Sequence, residues 1–149
     1  MAHLDQLPDE PVARLRAIVS LLRSPEGCPW DREQTHESLR AGLLEEACET
    51  IDAITKADDA NLCEELGDLL LQVVFHTDLA AERGAFTLED AARHTCEKLI
   101  RRHPHVFGDG DASDTQAVLR QWEQIKREEK GATASIMADI PRALPALIR

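Results

Sequence analysis

Tyrosine is absent from this chain of 149 residues, and other aromatics are few: three phenylalanines and two tryptophans. Its core must therefore come from aliphatic side chains. Runs of β-branched residues are missing as well. Ala, Leu, Glu and Arg dominate, a composition that favours an all-α fold. Neither GxGxxG nor GxxxxGK followed by Ser or Thr occurs, so any phosphate would be held by metal and side chains rather than by a glycine loop. No apolar run reaches membrane-spanning length, and the opening MAHLDQLPDEP lacks the charge and apolar core of a signal peptide. A cytoplasmic chain without a membrane partner is expected. Cys28, Cys48, Cys63 and Cys96 show no CxxC spacing, which argues for reduced thiols rather than a zinc site or a disulfide frame. Positive charge is also scarce: 17 Lys and Arg stand against 28 Asp and Glu, a formal net charge of −11. This argues against nucleic acid, which wants a basic face, as a direct partner.

The acids are concentrated. From Glu45 to Asp68 stand Glu45, Glu46, Glu49, Asp52, Asp58, Asp59, Glu64, Glu65 and Asp68, with Lys56 the one base among them. Residues three or four apart share a helix face. Glu46 and Glu49 can thus point one way from one helix, and Glu65 and Asp68 one way from the next. An antiparallel hairpin of the two would bring four carboxylates together. Such a group repels itself unless a cation sits within it, and oxygen-only donors suit Mg²⁺ or Mn²⁺ better than zinc. Asp58 and Asp59 read as a turn and helix start, and Asp52 and Glu64 as solvent-facing. Asp68 is different. It lies in LGDLLLQVVF, whose apolar residues predict a helix buried on nearly all sides. Glu65, Asp68, Gln72 and His76 form a single polar stripe along it.

About five helices are predicted in one domain. Pro11 opens the first, which ends at Arg23 before the breaker Ser24-Pro25-Glu26-Gly27. Cys28-Pro29-Trp30-Asp31 reads as loop. The second helix runs from about Thr35 to Lys56, and the third from about Ala60 to Arg83, returning antiparallel and capped by Gly84. Thr87-Leu88-Glu89-Asp90 has capping-box spacing and opens a fourth helix to about Arg102, stopped by Pro104. His103 to Asp111 reads as loop. Ser113 or Asp114 caps a fifth helix through Trp122 to about Lys130. Residues 1–10 and 131–149 are expected to be irregular. The amphipathic ending LPALIR would suit packing on a partner or continuation into a further domain. The third helix has more apolar faces than a five-helix subunit can cover, which predicts a homodimer or larger oligomer.

Lys98, Arg101 and Arg102 cluster on the last turn of the fourth helix. Three readings stay open: interaction with the helix C-terminus, pairing with surface acids, or a clamp for phosphates beside the metal.

Taken together, EExxE (Glu45, Glu46, Glu49) followed after fifteen residues by ExxD (Glu65, Asp68) resembles the MazG-type nucleoside triphosphate pyrophosphohydrolases. CPWDREQT at 28–35, ELGDLLLQVVF at 65–75, KLIRRHPHVF at 98–107, WEQIKREE at 122–129 and DIPRALPALIR at 139–149 extend the likeness over nearly all of the chain after residue 20. The first repeat of two-repeat MazG proteins is the best match, and the chain stops where a second repeat would begin. The resemblance implies a four-helix core completed by dimerisation, as a dimer or tetramer. It implies Mg²⁺-dependent hydrolysis of NTPs or dNTPs to monophosphate and pyrophosphate, in nucleotide-pool house-cleaning. By motif position, Glu46, Glu49, Glu65 and Asp68 are metal ligands, Glu45 is a further ligand or orients water, and Lys98, Arg101 and Arg102 contact phosphates. Trp30 is a candidate for stacking on the base. Cys96 departs from the Asn that many members carry two residues before the Lys. The alternatives are a non-catalytic nucleotide-binding or dimerisation module, and a narrow dUTP- or dCTP-type pyrophosphatase.

Overall fold

The computed structural model describes residues 6–111 and 113–130. All regular structure among them is helical: α1 Pro11–Arg23, α2 Pro29–Glu33, α3 Arg40–Lys56, α4 Asp59–Glu82, α5 Leu88–Arg102, α6 Pro104–Phe107 and α7 Thr115–Lys130. The expected five helices are all present, and two short ones are added where loop was expected. In both additions a proline takes the first helical position: Pro29 after an extended Cys28, and Pro104 after His103. A proline that ends one helix is pre-set to start the next, because its missing N–H is not needed there. The second predicted helix starts later than Thr35. Thr35 and Ser38 exchange side-chain to backbone hydrogen bonds, with Ser38 Oγ accepting from Thr35 N at 2.9 Å and Thr35 Oγ1 from Ser38 N at 3.1 Å. These local bonds hold a turn in competition with helix. The expectations for residues 1–5 and 131–149, including LPALIR and Gly131, lie outside the described residues.

The chain divides into two compact units, Met1–Ala92 and Arg93–Arg149, with the boundary inside α5. In the first unit α3 packs along α4, and α1 crosses α4 and touches α2. The starts of α1, α4 and α5 are specified locally. Glu10 accepts from Val12 N and Ala13 N to cap α1, at 3.0 and 2.6 Å. Asp58 caps α4 by accepting from Asn61 N at 3.1 Å. Thr87 and Asp90 complete the predicted capping box: Asp90 Oδ2 accepts from Thr87 N at 3.0 Å, and Thr87 Oγ1 from Asp90 N at 3.2 Å. Val19, Leu39, Val74, Phe75 and Leu79 form the core, with Leu15, Leu71 and Leu88 against it. Val19 and Val74 are fully enclosed, and each such burial contributes about 1.5–3 kcal/mol relative to exposure. Arg23 ties the layers together. Its side chain is only 6% exposed, and its Nε and Nη2 donate to Glu82 at 2.7 and 2.8 Å while Nη1 reaches the Asp31 carbonyl.

α4 departs from the expectation of burial on nearly all sides. Its enclosed residues are Val74, Phe75, Thr77, Leu79 and Ala80, toward its C-terminal half. Leu66, Leu70 and Val73 are exposed in the single chain, as are Leu43, Leu44, Ile51 and Ile54 of α3. Asp68 is accordingly half-buried within one chain.

In the second unit Asp114 caps α7, its Oδ1 accepting from Ala117 N at 2.7 Å. His103 Nδ1 donates to the Leu99 carbonyl at 2.7 Å, where α5 gives way to α6.

Gly84 ends α4 with φ +65, its N–H bonding the Ala81 carbonyl at 2.9 Å while Ala85 N bonds Ala80 at 3.0 Å. Only glycine adopts this left-handed position without steric cost. Gly84→Ala should therefore lower unfolding free energy by about 1 kcal/mol, read from urea titration; an unchanged midpoint would show that the cap contributes nothing.

Candidate metal and phosphate site

α3 and α4 are joined only by Ala57 and Asp58. Ala57 takes a left-handed conformation, φ 52, which reverses the chain at once. The result is an antiparallel hairpin in a fixed register. Gly42 faces Gln72, whose Nε2 lies 3.1 Å from where a Cβ at 42 would stand. Glu46 and Asp68 occupy one level and Glu49 and Glu65 the next toward the turn, each pair equidistant in sequence from Ala57. Carboxylate oxygens of Glu46, Glu49 and Glu65 all lie within 4.8 Å of one another. Asp68 stands outside this tight trio but acts on it electrostatically. Partial burial, then the charge of Asp68, then those of Glu49, Glu65 and Glu45, hold the Glu46 carboxyl above its usual range. Burial followed by Glu49, Glu64 and Asp68 does the same to Glu65. Like charges confined together disfavour ionisation, and this is the signature of that confinement. Glu45 is exposed at the edge of the cluster. Asp52 pairs with Lys56 at 3.7 Å on the solvent face.

The polar stripe of α4 continues past the acids into an arrangement that sequence reading missed. His76 Nδ1 and His36 Nδ1 are 2.8 Å apart, with the two rings parallel. Arg83 Nη2 reaches the Nε2 of His36 at 3.0 Å. A guanidinium only donates, so His36 accepts at Nε2 and carries its proton on Nδ1. It then donates to His76 Nδ1, which leaves the His76 proton on Nε2. That nitrogen is buried without a partner, as is Oε1 of Gln72 one turn earlier. The pair is forty residues apart in sequence, and no local pattern marks His36.

Trp30 is on α2 with 63% of its surface exposed. The basic segment lies in the second unit, where Lys98 is half-buried. Of its open readings, pairing with a surface acid is realised for the two arginines. Glu129 Oε1 accepts from Arg101 Nε at 2.7 Å, and Oε2 from Arg102 Nε and Nη2 at 3.1 and 2.6 Å. The Glu129 carboxyl is pulled down to about 2, first by its bonds to Arg102 and then by those to Arg101. The Arg102 guanidinium sits 5.9 Å and the Lys126 ammonium 5.2 Å from the centre of the Trp122 ring. Glu129 was visible in sequence only as part of the string WEQIKREE. Cys28, Cys48, Cys63 and Cys96 are all free thiols, and no helix among the described residues is long and apolar enough to cross a membrane.

Residues 34–107 match the family described as the MazG nucleotide pyrophosphohydrolase domain. Over 134 residues the chain is 55% identical to the nucleoside triphosphate pyrophosphohydrolase/pyrophosphatase MazG of Thermotoga maritima, covering 89% of this chain and 51% of that one. It is 50% identical over 141 residues to the nucleoside triphosphate pyrophosphohydrolase of Escherichia coli K12, covering 93% and 54%. The chain thus spans about half the length of these two relatives. Among solved structures, the crystal structure of a mazG-related protein from Thermotoga maritima superposes with a TM-score of 0.63 at 31% identity, over 76% of this chain and 97% of that one.

Burial of His76, followed by the nearby His36, holds the His76 imidazole below its usual 6.5. In the unfolded chain the ring takes up a proton more readily. The contribution to stability is complete above 6.5 and is lost as pH falls through the folded value. Stability should decline as pH falls below about 6.5, and His76→Gln should flatten that slope. Denaturant titrations at several pH values check this; equal slopes for parent and variant would remove His76 as its source.

Proposed function

The chain belongs to the MazG family, and from that premise we propose that it is a cytoplasmic hydrolase of nucleoside and deoxynucleoside triphosphates, releasing the monophosphate and pyrophosphate in nucleotide-pool house-cleaning. Residues 1–149 form a single domain of this kind in the proposal. The observation that carries the reading is the meeting of Glu46, Glu49 and Glu65 across the α3–α4 hairpin, within 4.8 Å of one another. With Asp68, these residues would hold Mg²⁺, or Mn²⁺ in its place. The donors fit such an ion: they are all hard carboxylate oxygens, and Glu46 and Glu65 are held above the usual carboxylate range, by burial first and then by neighbouring charges that a cation would offset. When bound, the metal supplies charge neutralisation for the phosphates and acidifies a coordinated water.

The remaining roles belong to the chain's own residues. The attacking water must approach the α-phosphorus in line with the departing pyrophosphate. Glu45, exposed beside the cluster, accepts the proton that this water gives up. Lys98, Arg101 and Arg102 fix the phosphate chain through charge-assisted hydrogen bonds. Trp30 offers an open ring face for the base. Product identification by chromatography, across a panel of NTPs and dNTPs with Mg²⁺, tests the reading. Monophosphate and pyrophosphate without a transient diphosphate are expected. Accumulating diphosphate, or no turnover with any substrate, would overturn it in favour of another reaction or a non-catalytic module. The profile across the panel separates broad activity from a narrow dUTP- or dCTP-type enzyme.

Assembly belongs to the same proposal. Leu66, Leu70 and Val73 of α4 and Leu44, Ile51 and Ile54 of α3 leave the hairpin uncovered on one side. A second copy would complete a four-helix core, as a homodimer or as a tetramer of paired dimers. Light scattering should give at least twice the chain mass; a species of 16.6 kDa alone at micromolar concentration would sink the assembly.

Asp68→Asn separates a ligand from a solvated surface group. It removes one charge from the repelling cluster and keeps the shape. Without metal the variant should melt higher than the parent, by an amount reflecting roughly a kcal/mol of relieved repulsion. Mg²⁺ should stabilise the variant less, and hydrolysis should fall by orders of magnitude. Calorimetry of both proteins in EDTA and in Mg²⁺ decides; identical Mg²⁺ shifts would remove Asp68 from the site.

A further inference from the structure

Arg101 and Arg102 are both engaged by one carboxylate. Glu129 spends Oε1 on Arg101 and Oε2 on two nitrogens of Arg102, so both its oxygens are used. Two guanidiniums converge on one carboxylate, with Nε and Nη2 of Arg102 sharing Oε2, and the same donors suit an anion with more oxygens. The three side chains are not equally enclosed: Arg102 and Glu129 are 16% and 22% exposed, but Arg101 is 53% exposed. The Arg101 side of the pair is open to water, so it contributes little net stability and can be exchanged for a stronger anion. Lys126 joins Arg102 at the Trp122 ring, and its own carboxylate neighbour, Glu123, stays 3.8 Å away.

We propose that Glu129 is an internal competitor for the phosphate chain: its carboxylate fills the Arg101–Arg102 fork when no nucleotide is bound and is displaced by a polyphosphate. This rests on the reading of Arg101 and Arg102 as phosphate contacts. A carboxylate presents one charge on two oxygens. A triphosphate presents several charges on many, so it wins the exchange even though Glu129 is tethered. The displacement lowers the apparent affinity by the stability of the internal pair. Glu129 thereby sets how much triphosphate is needed for occupancy, and it acts through the arginines without touching the reacting atoms. The carboxyl is ionised throughout the neutral range, so the charge that Glu129 brings to the competition does not vary there.

The test uses inorganic tripolyphosphate as the probe, in EDTA, with binding followed by titration calorimetry on the full chain. Glu129→Gln keeps the shape and removes the charge. Tripolyphosphate should bind about two- to fivefold more tightly, the range expected for loss of an exposed ion pair. KM for an NTP with Mg²⁺ should fall by the same factor, with kcat little changed. Glu129→Asp retains the charge but is one methylene too short to span both guanidiniums, and should give part of the gain. A residue that merely positions the arginines predicts the reverse: weaker binding and a raised KM in both variants, and either that result or unchanged affinity would overturn the proposal. The double variant Arg101→Ala, Arg102→Ala separates its failure from failure of the underlying reading. Weakened tripolyphosphate binding there, with no gain in the Glu129 variants, removes only the competition. Unaltered binding in the double variant shows that the arginines hold no phosphate, and both fall.

Discussion

Repulsion among carboxylates is the constraint around which the first unit is arranged. Two helices joined by two residues cannot splay far, and that short connection holds Glu46, Glu49, Glu65 and Asp68 within reach of one another's charge. In most proteins such a cluster would be dispersed, since each ionised group raises the cost of the next. Here hydrophobic contacts further along α4, around Val74, Phe75 and Leu79, meet that cost away from the acids. The fold thus separates its stabilising region from its strained one, as expected where a binding site is assembled at the expense of local stability.

Much of this was legible in the sequence, and the reasons are local. Proline at the start of α1, the Thr87–Asp90 capping box and Gly84 each act within a few residues, so the helix ends they control are readable from composition and spacing. The acidic positions follow from the helical period alone, because Glu46 with Glu49 and Glu65 with Asp68 each share a face. What escaped notice has the opposite character. α2 and α6 are too short to show periodicity, and their prolines looked like breakers when they are first helical residues. His36 meets His76, and Arg101 meets Glu129, only because distant segments pack together. α4 was read as enclosed on nearly all sides from its apolarity. Apolarity shows that a surface wants cover, not where that cover lies along the helix.

The second unit shows how a motif can be right about position and silent about state. Lys98, Arg101 and Arg102 share one turn of α5, as their spacing requires, yet two of the three are already engaged by a residue from α7. The charge balance of the whole chain, −11, makes such engagement unsurprising. In an acidic protein a cationic cluster will find an internal anion unless it is shielded from one. Pairing thus keeps both guanidiniums ordered, the enclosed Arg102 as well as the open Arg101.

The connection at Ala57 and Asp58 also bears on which lengths of chain evolution can use here. Surface loops ordinarily accept insertions at small entropic cost. This one does not have that freedom, because it is the gauge that sets Gly42 against Gln72 and Glu49 against Glu65. One residue added to either helix beside the turn rotates everything beyond it by about 100°, carrying half of the acidic cluster to another face. Lengthening the hairpin is compatible with the cluster only in steps of about seven residues, two full turns, shared between the helices. Divergence at this tip should therefore be quantised in helical turns, whereas substitution at exposed positions of the same tip carries no such restriction.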